Sequence, residues 1–142
     1  MPLTVESVRF GLPDTLKTHL VKVYRDSPEF ASGESALAVL EEALAGHGSV
    51  LYSGVFNGKH ICAVLAQGEG PHRQLRYLCV HPANRGRGIA RRLMDEVRRL
   101  EATQGVSYLE AVFDLRQEGV PEMLLAMGFI PHGESEAYRC RL

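Results

Sequence analysis

The sequence has no tryptophan, and only three of its 142 residues are cysteines, Cys62, Cys79 and Cys140. None stands in a Cys-x-x-Cys pair or at metal-ligand spacing. All three sit in apolar, strand-like surroundings, so they read as buried reduced thiols, and neither a disulfide framework nor a metal site is expected. No apolar run approaches the roughly 20 residues that cross a bilayer. The chain does not open on a basic segment followed by an apolar stretch, so no secretory signal is read. These absences point to the cytoplasm, with no membrane partner. One-sided charge is missing too: 16 Lys and Arg against 17 Asp and Glu leave a net −1, which argues against nucleic acid as a partner. Repeats, low-complexity segments and long linkers are lacking as well. With 45% apolar residues, residues 1–142 read as one domain with its own core.

What is there begins with alternation. Leu3, Val5 and Val8 alternate with polar residues and predict a strand over 3–10. Pro13 and Asp14 then suit a helical first turn, with Leu12, Leu16, Leu20 and Val23 as its apolar stripe up to Tyr24. After Asp26-Ser27-Pro28 a second helix begins near Ser32 and ends at Gly46. Asn57-Gly58 marks a hairpin between strands 50–56 and 59–67, and a second turn over 68–72 leads to a strand over 74–80. On that strand, simple alternation puts Leu75, Tyr77 and Cys79 on one face and Arg76, Leu78 and Val80 on the other. Ile89, Leu93, Met94, Val97 and Leu100 keep helical spacing, a strand follows over 106–113, and Pro121 opens a short helix closed by Gly128. One or two strands end the chain. The order β-α-α-β-β-β-α-β-α-β is an α/β (α+β) arrangement: a mixed, mostly antiparallel sheet of six or seven strands with about four helices on both faces.

The most informative segment joins the third strand of the antiparallel run to a helix: Leu78-Cys79-Val80-His81-Pro82-Ala83-Asn84-Arg85-Gly86-Arg87-Gly88-Ile89-Ala90. Two glycines leave the backbone approachable, and the first amides of the new helix lie at the positive end of its dipole. That is an anion site, suited to phosphate or pyrophosphate. Arg85, Arg87, Arg91 and Arg92 lie within two turns of it, and Arg98 and Arg99 read as a solvated helix face. A dinucleotide fold would put its glycine loop after a first parallel strand, and the Walker pattern is absent, so both nucleotide folds are excluded.

The segment resembles the acyl-CoA-binding motif of the GNAT superfamily of N-acetyltransferases. Arg85-Gly86-Arg87-Gly88-Ile89-Ala90 meets its Arg/Gln-x-x-Gly-x-Gly/Ala, Leu78, Val80 and Pro82 meet the preceding Leu-x-Val-x-Pro, and Met127-Gly128-Phe129 meets the later Leu/Met-Gly-Phe. The resemblance implies a GNAT fold and acetyl-CoA as cosubstrate or regulatory ligand. Backbone amides of Arg85 to Ala90, with Arg91 beside them, would hold the pyrophosphate, and the edge formed by Leu78, Cys79 and Val80 would pair with the pantetheine arm. In direct transfer a primary amine, on a small molecule or a protein, attacks the thioester while the Leu78 amide polarises the carbonyl oxygen.

The superfamily's usual thiolate acid is a tyrosine four residues before the glycine of the closing motif, and that position is Leu124, whose spacing from Val120 suits helix packing. Where many members carry an asparagine after the fifth strand, Asp114-Leu115-Arg116-Gln117 stands instead. Tyr138, Glu110, Tyr77 and Tyr108 are the candidate replacements. Glu110, a carboxylate in an apolar strand, has either a raised pKa or a salt bridge at the solvent. Tyr24-Arg25-Asp26-Ser27-Pro28 and Glu118-Gly119-Val120 also resemble the PanZ (PanM) group of this superfamily. That likeness implies an acetyl-CoA-sensing protein that docks on a protein partner, an aspartate decarboxylase undergoing maturation. N-acetyl transfer from acetyl-CoA to a primary amine is the leading expectation, and acetyl-CoA sensing with a protein partner or as a homodimer is the alternative.

Overall fold

A computed structural model describes residues 2–133 and 136–142. In chain order the elements are β1 (Thr4–Val8), α1 (Asp14–Val23), α2 (Gly33–Ala45), β2 (Val50–Phe56), β3 (Lys59–Gln67), β4 (His72–Val80), a 3-10 turn (Pro82–Asn84), α3 (Ile89–Ala102), β5 (Tyr108–Val112), α4 (Val120–Ala126), β6 (Ile130–Pro131) and β7 (Tyr138–Arg141). They form one seven-stranded sheet in the order β1-β2-β3-β4-β5-β7-β6. Every neighbouring pair is antiparallel except β4 and β5, which run parallel because α3 carries the chain back across the sheet. The expected sheet and its helices are present, and the terminal region supplies two strands. The stretch between those two strands includes Glu134 and Ser135, which lie outside the described residues.

The helices divide the core in two. On one face Ile89, Leu93, Met94 and Val97 of α3 and Val120 and Leu124 of α4 pack against Leu75, Leu78, Leu109 and Ala111. On the other, Leu16, Leu20 and Val23 of α1 and Ala36, Leu40 and Leu44 of α2 pack against Leu51, Ala63, Leu65 and Cys79. α2 starts with a proper cap, since the Ser32 side chain accepts from the Ser35 amide at 3.0 Å. A buried ionic clasp ties α3 to β4 and to two turns. Arg73 Nε lies 2.9 Å from Glu101 Oε1, and Tyr52 donates its hydroxyl to Glu101 Oε2 at 2.8 Å. The Arg73 guanidinium also donates to the carbonyls of Gly48 and Gly68. All three cysteines are buried free thiols.

Simple alternation fails on β4. Arg76 pairs with Leu65 and Cys79 with Ala63, so three steps on β4 face two on β3. The extra residue is a β-bulge at Tyr77, whose φ is +59°. Leu75 therefore shares the α3 face with Leu78 and Val80, while Tyr77 and Cys79 turn toward α1 and α2. The bulge falls at the point where β4 and β5 part.

Candidate functional site

The register of β4 with β5 ends at Arg76 opposite Val112, yet β4 continues through Tyr77 to Val80. A cleft of about 820 Å³ opens there. Leu78, Cys79 and Val80 form one wall and Gln117, Glu118, Gly119 and Val120 the other. Arg85, Gly86, Gly88, Ile89, Ala90 and Arg91 line one end, and Asp26 and Pro28, from the connection between α1 and α2, contribute to the rim. The expected ligand-contacting residues thus come together, except that Arg87 stands exposed and outside the lining.

The glycine loop is built for backbone presentation. Gly86 and Gly88 have φ of +77° and +73°, a region that favours glycine, and a Cβ on either would meet open space. Gly88 is the N-cap of α3 and has no side chain to occupy the first-turn amides. Upstream, His81 Nδ1 accepts from the Ala83 amide at 3.0 Å, and Arg85 Nε donates to the Val80 carbonyl at 3.1 Å, folding its guanidinium across the end of β4. Partial burial, then the charges of Arg25, Lys22, Arg85 and Lys59, hold the His81 pKa below its ordinary value. That cationic neighbourhood would favour a bound polyanion. Farther along α3, Arg91 pairs with Asp95 and Arg99 with Glu96, the helix-face pairs expected of solvated arginines. Arg98 reaches instead to the Met127 carbonyl and ties α3 to the end of α4.

At the bulge the Tyr24 hydroxyl donates to the Tyr77 carbonyl, and Phe30 packs against both rings, its centroid 5.7 Å from Tyr24 and 5.0 Å from Tyr77. Tyr24 is completely buried, and burial raises its pKa well above that of an ordinary phenol. On the cleft side Gln117 Nε2 donates to the Leu78 carbonyl at 3.2 Å. Glu29, next in sequence to the rim residue Pro28 and outside the cleft lining itself, is half-buried. One of its carboxylate oxygens, Oε2, is inaccessible and lacks a partner among the described residues. Burial, with the Asp114 charge second, raises its pKa, while the Asp114 amide, Arg76 and Arg116 oppose the rise.

The expected proton-transfer groups are dispersed. Glu110 is ion-paired, with Arg139 Nε at 2.8 Å and Gln74 Nε2 at 3.0 Å. The Arg139 hydrogen bond, ahead of that from Gln74, lowers its pKa, so the idea that an apolar strand raises it is overturned. Its side chain lies on the sheet face opposite α3, outside the cleft lining. Tyr138 pairs with Ala111 across β5 and β7, and its ring packs against the α3-side core. Leu124 has 0% exposure and is core. Tyr77 serves as backbone bulge and ring packing, and Tyr108 contacts His72 and Arg141 on the open sheet face.

Sequence reasoning assigned no individual side-chain role to Tyr24, Glu29 or Gln117. For Glu29 the one available signal is a carboxylate directly after Ser-Pro at a helix break. Nothing in the local sequence marks Gln117, whose role depends on how two strands diverge.

A seven-stranded sheet with a single parallel pair, splayed at a bulge and followed by a glycine loop and helix, defines a GNAT acetyltransferase fold. Solved structures agree in fold. The ribosomal-protein-S18-alanine N-acetyltransferase from Escherichia coli matches at TM-score 0.75 and 16% identity, over 99% of this chain and 93% of that one. The PaiA N-acetyltransferase from Thermoplasma acidophilum, solved with coenzyme A, matches at 0.68 and 13%, over 98% and 99%. YhhK from E. coli, solved bound to coenzyme A, matches at 0.67 and 23% over the whole of both chains. A search of curated protein sequences gives no match. Within the GNAT class, the PanZ acetyltransferase (GNAT) domain matches residues 2–139, and the chain belongs to that family.

Proposed function

We propose that this protein binds acetyl-CoA in the cleft between β4 and β5, as a single domain, and uses it as a regulatory ligand in the manner of a PanZ-type sensor that docks on a protein partner. The pyrophosphate would lie on the amides from Arg85 to Ala90, with Arg85 and Arg91 beside it. The pantetheine arm would run along the β4 edge at Leu78, Cys79 and Val80. The observation that carries the sensor reading is Leu124: the position from which the superfamily usually protonates the leaving thiolate holds an aliphatic side chain sealed in the core. Family membership across residues 2–139 supports acetyl-CoA as the ligand under either reading.

Direct acetyl transfer to a primary amine is the second reading, and Glu29 is what favours it. A carboxylate with a raised pKa, next in sequence to the rim residue Pro28, is suited to take a proton from an ammonium, while the Leu78 amide would polarise the thioester carbonyl. The C–N bond would form as the C–S bond breaks, leaving free CoA with the proton delivered to its sulfur through water. One paired assay tests both readings: calorimetry with acetyl-CoA, and steady-state CoA release across a broad panel of amines. Micromolar or tighter binding without turnover supports the sensor, turnover with any amine supports the enzyme, and absence of binding sinks both.

A further inference from the structure

An edge carbonyl of a sheet is normally satisfied by the next strand. Beyond Arg76, β5 no longer does this for β4, and the donor to the Leu78 carbonyl is the carboxamide of Gln117, at 3.2 Å. A carboxamide N–H is the same kind of donor as the secondary amides of a pantetheine arm. A ligand laid along this edge therefore competes with Gln117 for one acceptor.

The segment bearing Gln117 is a compact turn rather than a strand. The Gln117 amide donates to the Asp114 carbonyl at 3.2 Å and the Val120 amide to the Gln117 carbonyl at 3.2 Å. Arg116 is held to Asp114 through its amide at 2.9 Å and through its guanidinium. A reach of 3.5 Å from Arg116 Nη2 to the Pro28 carbonyl connects the turn to the far rim of the cleft. Both neighbours of Gln117, Arg116 and Glu118, are exposed. Releasing Gln117 from Leu78 frees the inner anchor of this turn, so its charged outer surface can shift.

We infer that Gln117 is a built-in stand-in for the ligand's amide, a latch on the Leu78 carbonyl that acetyl-CoA displaces, coupling occupancy of the cleft to the position of residues 114–119. The inference rests on the acetyl-CoA reading above and supplies the means by which a partner protein would sense the ligand, through the altered presentation of Arg116 and Glu118. Breaking one neutral hydrogen bond is a modest tax on binding, which corresponds to about three- to tenfold in affinity.

The test compares the wild type with Gln117→Ala and with Gln117→Ser, whose side chain is too short to reach Leu78. Calorimetry and stopped-flow binding use acetyl-CoA itself. Both variants are expected to bind about three- to tenfold more tightly and to associate faster. In the wild type, the Gln117 side-chain amide resonances should move on saturation with acetyl-CoA. Unchanged or weakened affinity in both variants overturns the latch, as do Gln117 resonances that stay in place while other cleft residues respond. Failure of all three proteins to bind would sink the acetyl-CoA reading, and the latch with it. Binding with equal affinity and rate sinks the latch alone.

Discussion

Tyr24 of the α1 C-terminus donates its hydroxyl to the carbonyl of Tyr77, the residue whose positive φ makes the β4 bulge. The bond holds an unusual backbone conformation in place from outside its own strand. Tyr24→Phe would leave a carbonyl at the bulge without that donor. A loss of about 1–3 kcal/mol in stability is expected from urea unfolding, with weaker acetyl-CoA binding in calorimetry as the bulge relaxes. Unchanged stability together with unchanged binding would remove the bond's role in shaping the site.

Gly88→Glu puts a carboxylate at the N-cap of α3, beside the amides proposed to hold the pyrophosphate, and demands a left-handed φ of a residue that carries a side chain. Acetyl-CoA binding should be abolished while the far-ultraviolet circular dichroism spectrum is retained. Micromolar affinity in the variant would mean that the pyrophosphate sits elsewhere.

Leu124→Tyr restores the superfamily's usual residue type at a position with 0% exposure. Overpacking should cost about 1–3 kcal/mol, read from the thermal midpoint, and CoA release should not appear with any amine. A gain of turnover would show that the phenol can reach the cleft and that the core there is looser than its packing implies.

Breaking the buried clasp should be the most damaging change outside the site. Glu101→Ala leaves the Arg73 guanidinium buried without its carboxylate, a loss of about 3–5 kcal/mol by denaturant unfolding. The paired change Arg73→Met with Glu101→Met should recover much of that loss, since two apolar groups replace two charges. A double variant no more stable than Glu101→Ala would contradict this.

His60 gives a pH signature. Its ring Nδ1 lies 2.7 Å from Ser53 Oγ and its amide donates to His19 Nδ1 at 3.1 Å. Burial first, and then His19, lower its pKa, with Glu6 opposing. The folded state thus binds a proton less readily than the unfolded chain. The contribution to stability is complete above the ordinary histidine pKa near 6.5 and is lost as pH falls through the lower folded value. Urea midpoints at pH 7.5 and 5.0 should differ more in the wild type than in His60→Asn. An equal difference would assign the acid sensitivity to other groups.

Much of the fold was legible because its signals are local. Asn57-Gly58 marked the hairpin, Ser32 the start of α2, and the stripe from Ile89 to Val97 the helix over the sheet. The backbone part of the site was equally plain, since Gly86 and Gly88 announce a loop that no side chain can replace. What failed has a common cause. The bulge at Tyr77 reversed the face of Leu75, because strand alternation carries no mark of an inserted residue. The choice between the two readings of Glu110 could not be made locally, because Gln74 and Arg139, which decide for the ion pair, are brought in by pairing from two other strands. The contact between Gln117 and Leu78 spans a divergence between strands that no window of sequence contains.

The gap between the ends of β4 and β5 has one more consequence. A molecule that fills it acts as a missing strand, bridging two elements that otherwise separate, and it binds only the folded chain. Its free concentration then enters the unfolding equilibrium: at a hundred times its Kd it adds about 2.7 kcal/mol. The lifetime of the folded protein, and with it the protein's abundance, would rise and fall with the supply of its own ligand.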